Sequence, residues 1–187
     1  MIKRVFDLSL SLTLLLIFAL PCLLVWLAVK LTSQGNALYW SKRVGKNNAL
    51  FNMPKFRSMR INTPALATHL LSNADSFLTP IGSFLRKSSL DELPQLWSIL
   101  KGDMSFVGPR PALFNQTDLI VMRNEHRVQT LTPGLTGWAQ VNGRDELPIP
   151  IKVKFDAEYL YKRSFWFDLK ILWLTFIKVL YQADVSH

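Results

Sequence analysis

From Leu8 to Val29 the chain carries no charged side chain, and Asp7 and Lys30 bound this run. As one helix it would extend about 33 Å at 1.5 Å per residue, enough to cross the hydrocarbon core of a bilayer, so its length alone predicts a spanning helix. Two features argue instead for a re-entrant hairpin that enters one leaflet and returns. Pro21 stands near the middle of the run, where it removes a backbone donor and kinks a helix. The flanking charge is also symmetrical. Lys3 and Arg4 precede the run and Lys30, Lys42, Arg43 and Lys46 follow it, so the positive-inside rule is best met with both ends on the cytoplasmic side. Lys3-Arg4 before an apolar run has the form of a secretion signal, and Ala19-Leu20-Pro21-Cys22 that of a lipoprotein cleavage site. Proline directly before that cysteine fits badly, and the run continues past it.

The 187 residues give room for one domain with its own core. Hydrophobic residues make up 49% and charged ones 19%, with six Trp, which is apolar enough for part of the surface to face lipid. The formal charge of +9 calls for something anionic: phospholipid headgroups, nucleotide phosphates or nucleic acid, among which composition does not choose. The single cysteine, Cys22, excludes an internal disulfide and a Cys-based zinc cluster.

The stretch Leu85–Pro111, LRKSSLDELPQLWSILKGDMSFVGPRP, places an acidic pair between two arginine-bearing turns. Ser89-Leu90-Asp91-Glu92 has the spacing of a capping box, in which serine and glutamate satisfy the free amides of a helix's first turn, and Asp91 would sit where the helix dipole favours negative charge. Capping alone could account for both acids. The neighbourhood adds phosphate chemistry: Arg86 and Lys87 precede the pair, and Pro109 and Pro111 restrict the backbone on both sides of Arg110. Guanidinium suits bidentate phosphate recognition, and a carboxylate facing arginines can attack phosphorus or hold Mg²⁺. Surface ion pairing of the same groups is the plainer alternative.

Several spaced blocks carry a resemblance that covers nearly the whole chain. They are Lys3-Arg4-Val5-Phe6-Asp7, Arg43-Val44-Gly45-Lys46, the run from Phe51 to Met59, the SLDELPQLWSILKGDMSFVGPRP block, and the run from Pro133 to Arg144. In these the chain resembles the bacterial sugar transferases, small monotopic phosphoglycosyl transferases. The resemblance implies transfer of a sugar-1-phosphate from a UDP-sugar to polyprenyl phosphate, on the cytoplasmic face of a bacterial inner membrane, as the first membrane step of surface glycan synthesis. It implies that Asp91 attacks phosphorus, that UMP leaves, and that Asp91 and Glu92 hold Mg²⁺ with the diphosphate. Arg86 and Arg110 would position oxygens, and Asp168 is a possible additional acid. Lys55 and Arg57 bring two cations together, for substrate phosphate or as a solvated basic edge, and Arg144 could reach nucleotide or membrane phosphate. The implied partners are UDP-sugar, polyprenyl phosphate and membrane lipid, with no nucleic acid; oligomeric state is open. The chain has Leu20 before Pro21 where the family often has serine, Gly35-Asn36 for Gly-Pro, and Ser41 for glutamine. The short stretch before the apolar run is expected to mark the compact form, without the transmembrane helices that precede the domain in larger relatives.

The expected fold is mixed α/β and mainly helical: a proline-broken re-entrant helix over 1–31, then a catalytic domain over 32–187. Leu38-Tyr39-Trp40 and Leu50-Phe51-Asn52-Met53 around an Asn-rich turn predict a small hairpin. The stretch 62–77 is polar and weakly helical, a lid or a connector, and His69, His126 and His187 carry no catalytic pattern. Thr136–Val141 has mixed strand character before a tight-turn signal at Asn142-Gly143. Trp138 is expected to pack on the core, and Gln140 could reach nucleotide or membrane phosphate. Over 165–180 a helical wheel puts Phe165, Trp166, Leu169, Leu172, Trp173, Phe176 and Leu180 on one arc and Asp168, Lys170, Thr175 and Lys178 on the other, an amphipathic helix for the membrane interface. The strongest rival is a membrane-tethered basic binding protein for nucleic acid or anionic lipid, whose affinity would fall steeply with salt and survive loss of Asp91.

Overall fold

The computed structural model describes residues 2–64, 73–143 and 147–184. It is mixed α/β and mainly helical. Helix α1 (Ile2–Ile17) and helix α2 (Ala19–Thr32) meet at Phe18 with a 62° bend. The break lies at Phe18 and not at Pro21, because a proline's missing N–H and its ring both act on the carbonyl four residues back, here that of Ile17. The ladder runs up to Phe18, whose N–H donates to Leu14 O at 2.8 Å, and resumes with Cys22 N–H to Phe18 O at 2.8 Å. Pro21 thus falls in the first turn of α2, where no donor is needed. Among the described residues no single helix is long and apolar enough to cross a membrane, while the bent pair together meets length and composition.

Helix α1 is inverted relative to a soluble helix. It buries Asp7 and Ser11 and exposes Leu12, Leu16 and Ile17, and α2 likewise exposes Leu20, Leu23, Leu24 and Leu31. Its polar face is satisfied by the rest of the chain. Lys3 Nζ donates to Val107 O at 3.0 Å and to Asp168 Oδ2 at 2.6 Å. Arg4 donates to Ile99 O and Leu100 O at 2.6 and 2.7 Å, closing the last carbonyls of helix α4 (Gln95–Lys101) as a cation at a C-terminus should. Asp7 Oδ1 accepts from Phe106 N–H at 3.2 Å.

Strands β1 (Leu38–Val44) and β2 (Leu50–Phe56) form the expected hairpin, with Leu38 opposite Phe56 and Val44 opposite Leu50. Its turn carries Asn47 and Asn48 at positive φ, 54° and 61°, a conformation asparagine tolerates. Helix α3 (Gly82–Lys87) leads to α4, and strand β3 (Ser105–Val107) pairs in parallel with β4 (Gly134–Thr136). Here two quoted blocks cross at backbone contact. A Cβ on Gly108 would stand 2.3 Å from Thr132 O, one on Gly134 2.1 Å from Gly108 N, and one on Gly137 2.1 Å from Gly108 O.

Strand character ends at Thr136; Trp138–Gly143 is helix α6. Asn142-Gly143 closes that helix and makes no hairpin turn, with Asn142 Nδ2 donating back to Trp138 O at 2.7 Å. Trp138 packs as expected, its ring 5.1 Å from Phe167 and its Nε1 donating to Glu158 at 2.9 Å. Helices α5 (Thr117–Glu125) and α7 (Ile149–Lys162) join through a buried pair, Arg123 Nη2 to Asp156 Oδ2 at 2.6 Å. The main core, including Met53, Ile99, Met104, Phe106, Val107, Tyr159 and Ile171, fills the space between these elements.

Helix α8 (Phe165–Asp184) departs from the wheel. Its packed stripe runs through Asp168, buried at 5% exposure, Ile171 at 0%, and Thr175, whose hydroxyl is 2.7 Å from that of Thr136. Two members of the polar arc therefore face inward, since Lys3 and the Tyr159 hydroxyl, 2.6 Å from Asp168 Oδ1, supply partners there. The aromatic arc faces out: Trp166, Trp173 and Phe176 are 78%, 62% and 54% exposed.

Removing one member of the buried Arg123–Asp156 pair strands the other's charge, so Asp156→Ala should lower unfolding free energy by roughly 3–5 kcal/mol in denaturant titrations. Lys162→Ala, at the exposed pair with Glu158, should change it by less than about 1 kcal/mol.

Candidate active site

Ser89, two residues past the end of α3, has φ 57°, and Leu90–Glu92 forms a single 3-10 turn before Pro94 opens α4. The capping box does not form. Ser89 makes no side-chain cap bond, and Glu92 N–H donates to the Ser89 backbone carbonyl at 3.1 Å. The Glu92 side chain turns away because Lys55 Nζ at 2.7 Å and Arg110 Nη2 at 3.5 Å offer charge-assisted bonds, which outcompete a bond to a neutral amide.

This divides the acidic pair. Burial would raise the Glu92 carboxyl, but Lys55 and Arg110 outweigh it and hold Glu92 at about 2. Asp91 is buried at 7% exposure. Burial pushes it up to about 6, with Glu92 adding to the rise while Lys55, Arg86 and Arg110 pull it down. Asp91 accepts no hydrogen bond from a described residue and lines two cavities. At neutral pH it is thus an ionised carboxylate, raised in basicity, facing three cations and committed to none.

The larger cavity, about 540 Å³, has Lys55, Arg86, Asp91, Glu92 and Arg110 on one wall. It is also lined by Leu14, Phe18 and the α8 residues Leu172, Phe176 and Val179. The smaller, about 160 Å³, lies against the hairpin, where Arg43, Lys55, Arg57, Arg60 and Arg86 line it together with Asp91. Arg57 is steadied by donating Nε to Asn36 O at 2.7 Å and by the Tyr39 ring 6.0 Å away. Pro109-Arg110-Pro111 is clamped from both sides: Arg123 Nη1 donates to Arg110 O at 2.9 Å, and Arg43 Nη1 to Pro111 O at 3.1 Å. Gln140 lines the larger cavity with its amide nitrogen and oxygen unpartnered among the described residues.

The structure therefore gathers Lys55, Arg57, Arg86, Asp91, Glu92, Arg110 and Gln140. Arg144 lies outside the described residues, as do His69 and His187, and His126 is exposed beside its own helix. Asp168 is not among the lining residues; it binds Lys3 and Tyr159. Arg123, Asp156, Arg60 and the clamping role of Arg43 went unread. Arg43 stood in a quoted block, but Arg123 has its partner 33 residues away, with no local pattern to mark it.

Among the described residues no group of three His, Cys, Asp or Glu side chains could enclose a metal. Asp91 is the uncommitted carboxylate, since Glu92 Oε1 is taken by Lys55 and Arg110. Such a site suits an ion that takes one or two carboxylates and completes its shell from phosphate and water, as Mg²⁺ does.

The chain is 43% identical to an undecaprenyl-phosphate glucose phosphotransferase of Komagataeibacter xylinus, over 97% of this chain and 36% of that protein. It is 38% identical to an undecaprenyl-phosphate galactose phosphotransferase of Salmonella typhimurium, over 100% of this chain and 42% of that protein. It is also 38% identical to the uncharacterized sugar transferase EpsL of Bacillus subtilis, over 100% of this chain and 91% of that protein. The chain thus spans less than half the length of the first two relatives. The family model described as bacterial sugar transferase matches residues 1–182, and the chain belongs to that family.

Proposed function

We propose that this chain transfers a sugar-1-phosphate from a UDP-sugar to polyprenyl phosphate, releasing UMP, as the first membrane step in building a bacterial surface glycan. The observation that carries the proposal is the split of the acidic pair: Glu92 anchors two cations, while Asp91, pushed up to about 6, has no hydrogen-bonding partner among the described residues and lines a cavity with Lys55, Arg86 and Arg110. In the first step an Asp91 oxygen attacks the phosphorus that bears the sugar, the bond from that phosphorus to the bridging oxygen breaks, and UMP departs with the electron pair. An aspartyl-phosphosugar remains. In the second, a polyprenyl phosphate oxygen attacks the same phosphorus and the Asp91 carboxylate leaves, giving polyprenyl diphosphosugar.

Lys55, Arg86 and Arg110 offset charge developing on the phosphoryl oxygens, and Glu92 keeps the first and last of these in place. Mg²⁺ held by Asp91 and the donor's diphosphate, with Glu92 beside it, would add Lewis-acid charge neutralisation. The clamp from Arg43 and Arg123 fixes the backbone from which Arg110 reaches the site, so little reorganisation is needed as charge builds.

The same reading makes residues 1–31 a re-entrant membrane element and 32–187 a catalytic unit on the cytoplasmic face of the inner membrane. Its support is the leucine-covered outer face of α1 and α2, the bend at Phe18 and the outward Trp166 and Trp173. An apolar surface of that kind is stable against lipid, and it brings Asp91 to the depth at which a lipid-borne phosphate lies.

Three outcomes are expected. Incubated with Mg²⁺ and a matching UDP-sugar but no acceptor, the protein should gain a sugar-phosphate adduct by intact mass spectrometry. Asp91→Asn and EDTA should each abolish it; release of UMP only when polyprenyl phosphate is added would mean direct transfer, and no turnover with any donor would return the chain to a tethered binding role. Second, protonation of Asp91 removes the nucleophile, so the UMP burst should hold from pH 8 to 7 and fall about tenfold per unit below about 6. Arg110→Gln removes a cation that lowers the Asp91 pKa, and should move that inflection upward. Third, in a Cys22→Ser background, single cysteines at Ile2 and Gln34 should both react with an impermeant maleimide in inside-out vesicles and neither in right-side-out ones. Reaction from opposite sides would establish a spanning helix.

A further inference from the structure

The two cavities at Asp91 share only Lys55, Arg86 and Asp91 itself, and their remaining walls differ in chemistry. The smaller is polar and basic, with Arg43, Arg57 and Arg60 between Ser41 and Ser58. The larger continues from the acidic pair to a wall of Leu14, Phe18, Leu172, Phe176 and Val179. On that apolar side stands one cation, Lys178, which is exposed and makes no ion pair with a described residue. Lys178 and Val179 lie three and four residues after Thr175, on the side of α8 that it faces, and all three line the cavity. Phe176 and Val179 are 54% and 47% exposed, a poor surface for water and a good one for a hydrocarbon chain. An ammonium among them is a compact charge for a phosphate headgroup, its aliphatic stem lying along the apolar wall.

We propose that the two substrates reach Asp91 through different openings, and that Lys178 with Leu172, Phe176 and Val179 forms the entrance for the acceptor, a lipid phosphate monoester. The nucleotide donor takes the basic opening beside the hairpin. This rests on the transfer reaction proposed above, and it adds the separation of the routes and a role for Lys178. Asp91 sits where the routes join, so the phosphosugar it carries is exposed in turn to the departing nucleotide on one side and the arriving lipid phosphate on the other.

The test separates the half-reactions. Wild type, Lys178→Gln, Lys178→Arg and Arg60→Gln are reconstituted in phosphatidylcholine nanodiscs with and without phosphatidylglycerol. The UMP burst without acceptor reports the donor route, and discharge of the preformed adduct by polyprenyl phosphate reports the acceptor route. Lys178→Gln should leave the burst unchanged and raise the acceptor concentration for half-maximal discharge about tenfold in neutral discs, and Lys178→Arg should restore it. Arg60→Gln should raise the donor KM and leave discharge unchanged. Equal loss of burst and discharge in Lys178→Gln, or an effect confined to discs with anionic lipid, would overturn the assignment; the latter would make Lys178 a general headgroup anchor. A wild type that forms no adduct would instead sink the transfer reaction itself.

Discussion

A lysine at the third position holds this molecule together. Its ammonium is bound at once by the Asp168 carboxylate and the Val107 carbonyl, and the Tyr159 hydroxyl completes the cluster by donating to the other oxygen of Asp168. Burial and the neighbouring Asp168 push the Tyr159 phenol above its usual range, so it stays a donor. Helix α1, strand β3, helix α7 and helix α8 converge on these three side chains. The geometry of the larger cavity follows, because its apolar wall comes from α1, the Phe18 hinge and α8, and the Val107 strand runs directly into the Pro109-Arg110-Pro111 turn. A shift of α1 against α8 would therefore alter the opening and the position of Arg110 together.

The acidic pair shows how one location yields two unlike carboxylates. Both lose water on folding, and what separates them is the placement of two cations on Glu92. Glu92 stays charged across the physiological range and acts as a fixed post for Lys55 and Arg110. Asp91 keeps the cost of burial with no hydrogen bond from a described residue to repay it, which leaves a more basic carboxylate close to groups that favour phosphate. Environments that drive two titratable neighbours apart assign them different work.

Legibility in the sequence tracked the range of the interaction. The helical content, the hairpin and the cluster of Asp91, Glu92, Arg86, Arg110 and Lys55 were readable, because turn chemistry, uncharged runs and spaced blocks are local. Pro21 announced a break but not its place, since its effect falls on a carbonyl one turn earlier. Ser89 and Glu92 matched a capping box that lost to Lys55, 37 residues away, and a wheel drawn on α8 alone had no means of knowing that Lys3 would draw Asp168 inward. The Arg123–Asp156 pair and the parallel strand contact at Gly108 and Gly134 left no periodic trace. Apart from the proline break, the decisive partner was distant in the chain.

The separation of Lys3 from Asp168, 165 residues, has a consequence for the order of assembly. Helix α1 precedes its partners in the chain, and its inward face of Lys3, Asp7 and Ser11 lacks most of them until β3, and then α8, have been synthesised. Closing so long a loop is entropically costly and comes late in folding. The hairpin and the α3–α4 turn that carries Asp91 and Glu92 can form on local contacts, and the lining of the larger cavity is completed only when α8 meets α1. A chain that has formed the acidic turn but has not docked α8 on α1 would hold Asp91 and Glu92 beside an unfinished cavity, so that docking governs when the site is complete.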